Sequence, residues 1–308
     1  MRVVFLGTPQ FAVPTLEALI AAGHEVAAVY TQPDRPKGRG QETAASPVKE
    51  CALGHGLAVR QPERIRRPEV VEELRGWGAE IYIVVGYGQI IPQAIIDIPP
   101  RGILNVHASL LPKYRGAAPI QWAIARGERV TGVTIMQIDA GLDTGPMLAK
   151  VITTIGEEET ALELGPRLAE MGARLLVETV AGNPAPVAQN NDEATLAPIL
   201  KREDGLIDWT QPAETIHNRA RGFLPWPGAW TWFRKQRFNI WRCREADVVH
   251  PAKGGIPFSV PKHLFVTCGE GSALELLEVQ VEGRKRVTGA DFLNGVRLTE
   301  NDILGEAP

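Results

Sequence analysis

The chain has 308 residues, with 33 Lys and Arg against 36 Asp and Glu and a formal net charge of −3. At about 150 residues per domain this length predicts two domains with separate cores and excludes a disulfide-stapled peptide. A content of 44% hydrophobic and 22% charged residues excludes a disordered chain, and the total charge by itself points away from a nucleic-acid partner.

Arg2 to Thr8 is an apolar run that breaks at Gly7-Thr8-Pro9. It lacks the length and cleavage pattern of a signal peptide and reads as a buried strand. Phe11, Leu16, Leu19 and Ile20 then recur at helical spacing up to Gly23, and Glu25 to Thr31 is extended again. This strand-helix-strand order predicts a right-handed crossover unit. It repeats as a helix at Val48–Leu53, a strand at Leu57–Arg60, a helix at Pro68–Arg75 and a strand at Glu80–Val85. Gly102–Val106 and Val130–Ile138 follow as strands, with a helix at Pro119–Arg126 between them. The pattern predicts an α/β fold with a Rossmann-like, mostly parallel sheet and helices on both faces. Ligands bind such sheets at the carboxyl ends of the strands, so chemistry is expected just after Val85, Val106 and Ile138.

A helix over Thr160–Val180 closes this half, and a Pro-rich stretch reads as a linker. The expected organisation is a catalytic domain at 1–182, a linker at 183–202 and a second domain at 203–308. In the last part, Trp230–Phe233, Phe238–Arg242, His263–Thr267 and Ala273–Val281 read as short strands between Gly and Pro, as in a small barrel or sandwich.

No stretch approaches the roughly 18 apolar residues of a membrane span. Cys51, Cys243 and Cys268 are odd in number and far apart. They fit a reducing cytoplasm, show no zinc pattern and read as buried structural thiols, so no metal is expected. The absence of a coiled-coil pattern leads to the expectation of a monomer.

The segment Asn105-Val106-His107-Ala108-Ser109-Leu110-Leu111-Pro112 lies at a predicted strand end, and Asp143 follows the next long strand. An amide, an imidazole and a carboxylate suit acyl transfer to an amine. The amide N–H stabilises an oxyanion, the imidazole moves a proton near neutrality, and the carboxylate favours and orients the charged imidazole. As an isolated pattern the same residues also serve simply as strand-end and turn residues. Ser109 lacks the glycines of a nucleophile elbow. Gly7-Thr8-Pro9 carries one glycine where a dinucleotide fingerprint has three.

The Asn105-x-His107 pair, Ser109-Leu110-Leu111-Pro112 and Asp143 within Gly-Leu-Asp-Thr-Gly resemble the signature of the folate-dependent formyltransferases. The resemblance extends through Phe5–Pro9, Thr31–Pro36, Gly38-Arg39-Gly40, Arg115–Gln121, Asp204–Trp209 and Pro225–Ala229, so it covers both halves. It implies formyl transfer from 10-formyltetrahydrofolate to the α-amino group of methionine on initiator tRNA. It also implies catalytic roles for Asn105, His107 and Asp143, a folate site at Ser109, Leu110, Leu111 and Pro112, and an oligonucleotide-binding-like (OB-like) β-barrel in the second half.

Charge is segregated along the chain. Residues 215–244 hold seven basic residues, among them Arg219, Arg221 and Arg234, and no acidic one, whereas 151–200 hold two basic and eight acidic residues. The basic window is interleaved with aromatics, which suits either nucleic-acid binding or a domain core with a solvated face. A second basic element, Arg35-Pro36-Lys37-Gly38-Arg39, lies in a Pro- and Gly-rich loop. In the resembling family a loop with this Gly-Arg-Gly approaches the tRNA acceptor end, so Arg35, Lys37 and Arg39 are expected contacts, although Glu42 adds an acidic group just beyond. Formyl transfer to a small amine and a non-catalytic RNA-binding role are the competing readings.

Overall fold

The computed structural model describes residues 1–37, 42–248 and 253–307, leaving aside the side chains of 36, 37, 42 and 43. Seven strands form the first sheet: β1 (Arg2–Gly7), β2 (Glu25–Tyr30), β3 (Val59–Arg60), β4 (Ile81–Val85), β5 (Ile103–His107), β6 (Val130–Gln137) and β7 (Met147–Thr154). Their spatial order is β7-β6-β5-β4-β1-β2-β3. β1 pairs in parallel with β2 and β4, β2 with β3, and β4 with β5. Val3–Leu6 and Ile81–Val85 are buried throughout, because a parallel sheet covered on both faces needs continuous apolar runs.

The helices are α1 (Val13–Ala21), α2 (Pro47–Gly54), α3 (Pro68–Gly76), α4 (Pro119–Ala125) and α5 (Ala161–Gly182). Pro47, Pro68 and Pro119 open their helices at the first position, where a missing N–H leaves no bond unmade. Ser46 caps α2 by accepting from the Lys49 amide at 3.1 Å. Leu164, Leu168, Leu176 and Val180 give α5 its buried stripe. At Gly172 this helix lies so close to the sheet that a Cβ would strike the side chains of Val106 and Val133.

The expectation of parallel repetition fails at β6. This strand runs antiparallel to β5, with Leu104 opposite Gln137 and His107 opposite Thr134. The intervening α4 has the sequence of a crossover helix but belongs to the other compact unit, where it packs on α6 (Ala213–Gly222). β7, which the sequence pattern did not indicate, lies beyond β6 at the sheet edge.

The two compact units interleave along the chain. One comprises residues 1–116, 131–153 and 165–196, and the other 117–130, 154–164 and 197–308. In the second, β8 (Ala229–Phe233), β9 (Gln236–Ala246), β10 (Pro257–Val260), β11 (His263–Thr267), β12 (Ala273–Val281) and β13 (Val287–Thr288) form an antiparallel sheet. Its order is β8-β9-β12-β11-β10, with β13 paired to β12. Among the described residues β8 and β10 do not pair with each other, so the expected barrel is an antiparallel sheet without ladder closure. Trp209, Phe238, Ile240, Val266, Leu274, Val279 and Phe292 form its core.

The exposed Arg234 reaches the buried Asp302, donating from Nε to Oδ1 at 2.7 Å and from Nη2 to Oδ2 at 2.8 Å. These hydrogen bonds hold the Asp302 carboxyl at about 2, below the usual carboxylate value of 3.8. A pKa lowered on folding adds stability above the unfolded value and loses it as pH falls through the folded value. The stability lead of the wild type over Asp302→Asn in urea titrations is therefore expected to be full at neutral pH. It should shrink between about pH 4 and pH 2.

Candidate active site

Asn105 and His107 are two residues apart on β5 and so project from the same face of the sheet. His107 is buried at 5% exposure. Its Nε2 lies 2.9 Å from the Tyr114 carbonyl oxygen. A carbonyl only accepts, so Nε2 carries the hydrogen, and Nδ1 is left as the position that gains or loses a proton. Nδ1 faces Oδ2 of Asp143 at 3.7 Å. That distance is too long for a hydrogen bond but close enough for strong attraction once the ring is charged.

The carboxylate reaches this position by an indirect path. Because β6 is antiparallel, its end lies beside the start of β5, where the Ile138 amide donates to the Ile103 carbonyl at 2.8 Å. The 139–146 loop must therefore return along β5, whose four residue steps from Ile103 to His107 span about 13 Å. Asp139 winds the beginning of that loop by accepting from the Gly141 amide and the Thr144 hydroxyl at 3.0 and 2.7 Å. Asp143 has φ +51 and accepts from the Gly116 amide through Oδ2 at 2.8 Å.

Two positioning residues escaped the reading of the sequence. Gln189, inside the segment expected to be a linker, donates to the carbonyls of Asp143 and Gly145 at 2.8 and 2.7 Å. Its Oε1 accepts from the buried Arg115 guanidinium at 3.0 and 2.7 Å. Thr195 accepts from the Tyr114 amide at 2.9 Å and so steadies the residue whose carbonyl holds His107. A glutamine and a threonine among prolines carry no local signal for such roles; only Arg115 lay within a recognisable motif.

The Asn105 carboxamide has no hydrogen-bond partner among the described residues, unlike His107 and Asp143. Ser109 is fully buried and donates to the Lys113 carbonyl at 2.6 Å, which explains why it has no free hydroxyl for nucleophilic chemistry. Leu111 and Pro112 are buried and Leu110 is half-buried, so within this run Leu110 has the greatest access to a ligand. The loop after β4 is held by its Tyr87 carbonyl, which accepts from Thr8 Oγ1 and Gln32 Nε2 at 3.0 and 3.1 Å. Beyond it Ile90 is 90% exposed, as Leu142 is 62% exposed on the 139–146 loop.

The predicted RNA-facing cations fall into different environments. Arg35 is exposed in a short antiparallel pairing of Arg35–Lys37 with Glu42–Ala44. The Lys37 side chain and all of Arg39 lie outside the described residues. Asp34, at the base of that pairing, forms an ion pair with Lys49 and accepts from Gln61 at 2.7 Å. Arg219 is half-buried, donates to the Asp204 carbonyl at 2.7 Å and lies over the Phe223 ring at 5.0 Å.

Arg221 differs from the surface position expected of it. It is buried, and its guanidinium donates to Asn218 Oδ1 and to the carbonyls of Gly156 and Glu159. Phe223, Trp230, Phe233 and Phe238 are core residues, whereas Trp226 is exposed. Cys243 and Cys268 are buried as expected, but Cys51 is only partly so.

Profiles of known families match the chain in both halves: formyl transferase over residues 1–180, and the formyl transferase C-terminal domain over 199–297. The methionyl-tRNA formyltransferase of Solibacter usitatus (strain Ellin6076) is 64% identical over 310 residues, covering 99% of each chain. That of Koribacter versatilis (strain Ellin345) is 56% identical over 311 residues, again covering 99% of each. Among solved structures, the N-formyltransferase of Helicobacter canadensis in complex with folinic acid and dTDP-3-aminofucose aligns at TM-score 0.65 and 18% identity, over 89% of this chain and 98% of that one. That level of identity speaks for the fold alone. The match of both halves, and of full-length relatives at more than half identity, means that the chain belongs to the formyl transferase family.

Proposed function

We propose that this protein transfers the formyl group of 10-formyltetrahydrofolate to the α-amino group of methionine carried by initiator tRNA. The observation that carries this reading is that Asp143, from the 139–146 loop, faces His107 on the strand of Asn105, in a chain whose full-length relatives bear the name methionyl-tRNA formyltransferase.

The amine attacks the formyl carbon directly, without an acyl-enzyme. The new C–N bond forms as the carbonyl electrons move to oxygen, and the Asn105 carboxamide N–H donates to that oxyanion. Nδ1 of His107 takes the proton released by the amine and returns it to the departing folate nitrogen, whose bond to carbon then breaks. Asp143 favours the transient imidazolium, and the Tyr114 carbonyl keeps the ring oriented. The fully engaged Ser109 hydroxyl leaves no oxygen nucleophile in the motif.

In this reading residues 1–182 carry the folate chemistry, 183–202 link the domains and 203–308 contact the tRNA. Arg35, Lys37 and Arg39 serve the acceptor end, and exposed cations of the second unit meet phosphates; Arg234, whose Nε and Nη2 are held by Asp302, has Nη1 left for such a contact. Arg219, half-buried against Phe223, has one edge for such a contact, while Arg221 acts by positioning α6.

The test is formylation of methionylated initiator tRNA, with elongator methionyl-tRNA and a small amine as controls. Activity confined to the initiator is the expected result; transfer to the small amine alone would replace the proposal. Asp143→Asn is expected to slow single-turnover formylation about a hundredfold or more while changing folate affinity by less than about threefold. Equal losses in both would assign Asp143 to folate binding instead. Lys37→Ala with Arg39→Ala should lower kcat/KM for acylated tRNA about tenfold, leave free-folate affinity unchanged and flatten the salt dependence by about two ions.

A further inference from the structure

We propose that Glu17, Cys51 and His55 form a surface site for a divalent ion of the zinc class, bridging α1 and α2. The donor atoms Oε1 of Glu17 and Sγ of Cys51 are 4.0 Å apart. One ligand atom from each of the three residues lies within 4.8 Å of the others. Cys51 and His55 are four residues apart, one helical turn, and therefore share a face of α2. The His55 amide closes that turn onto the Cys51 carbonyl at 3.2 Å.

The backbone around the site is set by local bonds. α2 ends in a Schellman arrangement, with Gly56 at φ +68. The Gly56 amide donates to the Leu53 carbonyl at 3.0 Å and that of Leu57 to Ala52 at 2.9 Å. Val48 and Ala52 are buried on the adjoining side of α2, and Leu16 and Leu19 are buried on α1. Glu17 and His55 are exposed and Cys51 is partly buried. Tetrahedral zinc with sulfur, nitrogen and oxygen ligands places donors roughly 3.5 Å apart. Beyond the contact between Glu17 and Cys51, none of these three side chains has a polar partner among the described residues.

The donor set selects the ion. Thiolate and imidazole favour zinc over magnesium or calcium, which require several oxygen ligands. One thiolate and one carboxylate also neutralise a doubly charged cation, and three protein ligands leave the fourth position to water. Binding exchanges the Cys51 thiol proton for the ion. Burial and the neighbouring Glu17 charge push that thiol up from its ordinary value, so without metal it is a neutral thiol and a poor nucleophile.

The experiment uses full-length protein without a histidine tag, freed of metal by chelator, and does not depend on the proposed transferase reaction. Zinc titration by calorimetry should show one equivalent bound, with a rise of several degrees in the unfolding midpoint. Cobalt in place of zinc should give tetrahedral visible bands and a near-ultraviolet thiolate-to-cobalt charge-transfer band. Cys51→Ser should abolish that band, and His55→Ala and Glu17→Gln should each weaken zinc binding about tenfold or more. His263→Ala, on β11 of the other unit, should leave zinc binding unchanged. The unfolding midpoints of the metal-free variants verify that each still folds. Absence of stoichiometric binding, a cobalt spectrum without the thiolate band, or unchanged affinity in Cys51→Ser would overturn the assignment.

Discussion

Antiparallel pairing of β6 with β5 governs the geometry of the site. It brings Thr134 opposite His107 and sends the chain to the far end of β5, so the 139–146 loop has to fold back before its carboxylate can face the imidazole. The return is secured at several points at once: Asp139 winds the loop, the Gly116 amide binds the Asp143 carboxylate, and Gln189 holds the carbonyls of Asp143 and Gly145. Each bond is ordinary in strength. Together they fix a buried ring and a partly buried carboxylate 3.7 Å apart.

The contacts of His107 leave it a single free ring nitrogen. A carbonyl that engages Nε2 removes the tautomer ambiguity, and the Asp143 carboxylate faces the remaining nitrogen, Nδ1. Tyr114 is itself steadied by Thr195, so residues from the segment after α5 reach into the centre of the first unit. Under the proposed direct transfer this preorganisation matters, because no nucleophile of the protein would hold the group between donor and acceptor.

In the second unit, cations and aromatics divide their work by burial. The aromatic rings of Phe233 and Phe238 pack with Phe292 at 5.2 to 5.8 Å between centroids. Arginines cover ring faces, as Arg237 does over Trp230 at 4.6 Å. A guanidinium lying flat on an aromatic ring keeps its edge for further donors, whereas the donors of Arg221 are taken up by Asn218 and the 156–159 turn. A cluster of positive residues in sequence is thus not a cluster of equivalent surface charges.

Because apolar periodicities are local, the sequence by itself determined many of the strand and helix segments, though not β7, β10 or α6. His263–Thr267 and Ala273–Val281 match their observed strands residue for residue, and the buried runs of β1 and β4 were equally plain. The spacing of Asn105 and His107 placed both on one face, and the motif singled out Asp143. Strand direction was not legible: α4 looks like a crossover helix, and only its packing on α6 reveals that β6 turns the other way. Nor could local pattern show Gln189 and Thr195 beside the site, Arg221 buried, or Glu17 meeting Cys51 and His55 across two helices. Those relations join residues distant in the chain, and they exist only once long-range packing has chosen which surfaces meet.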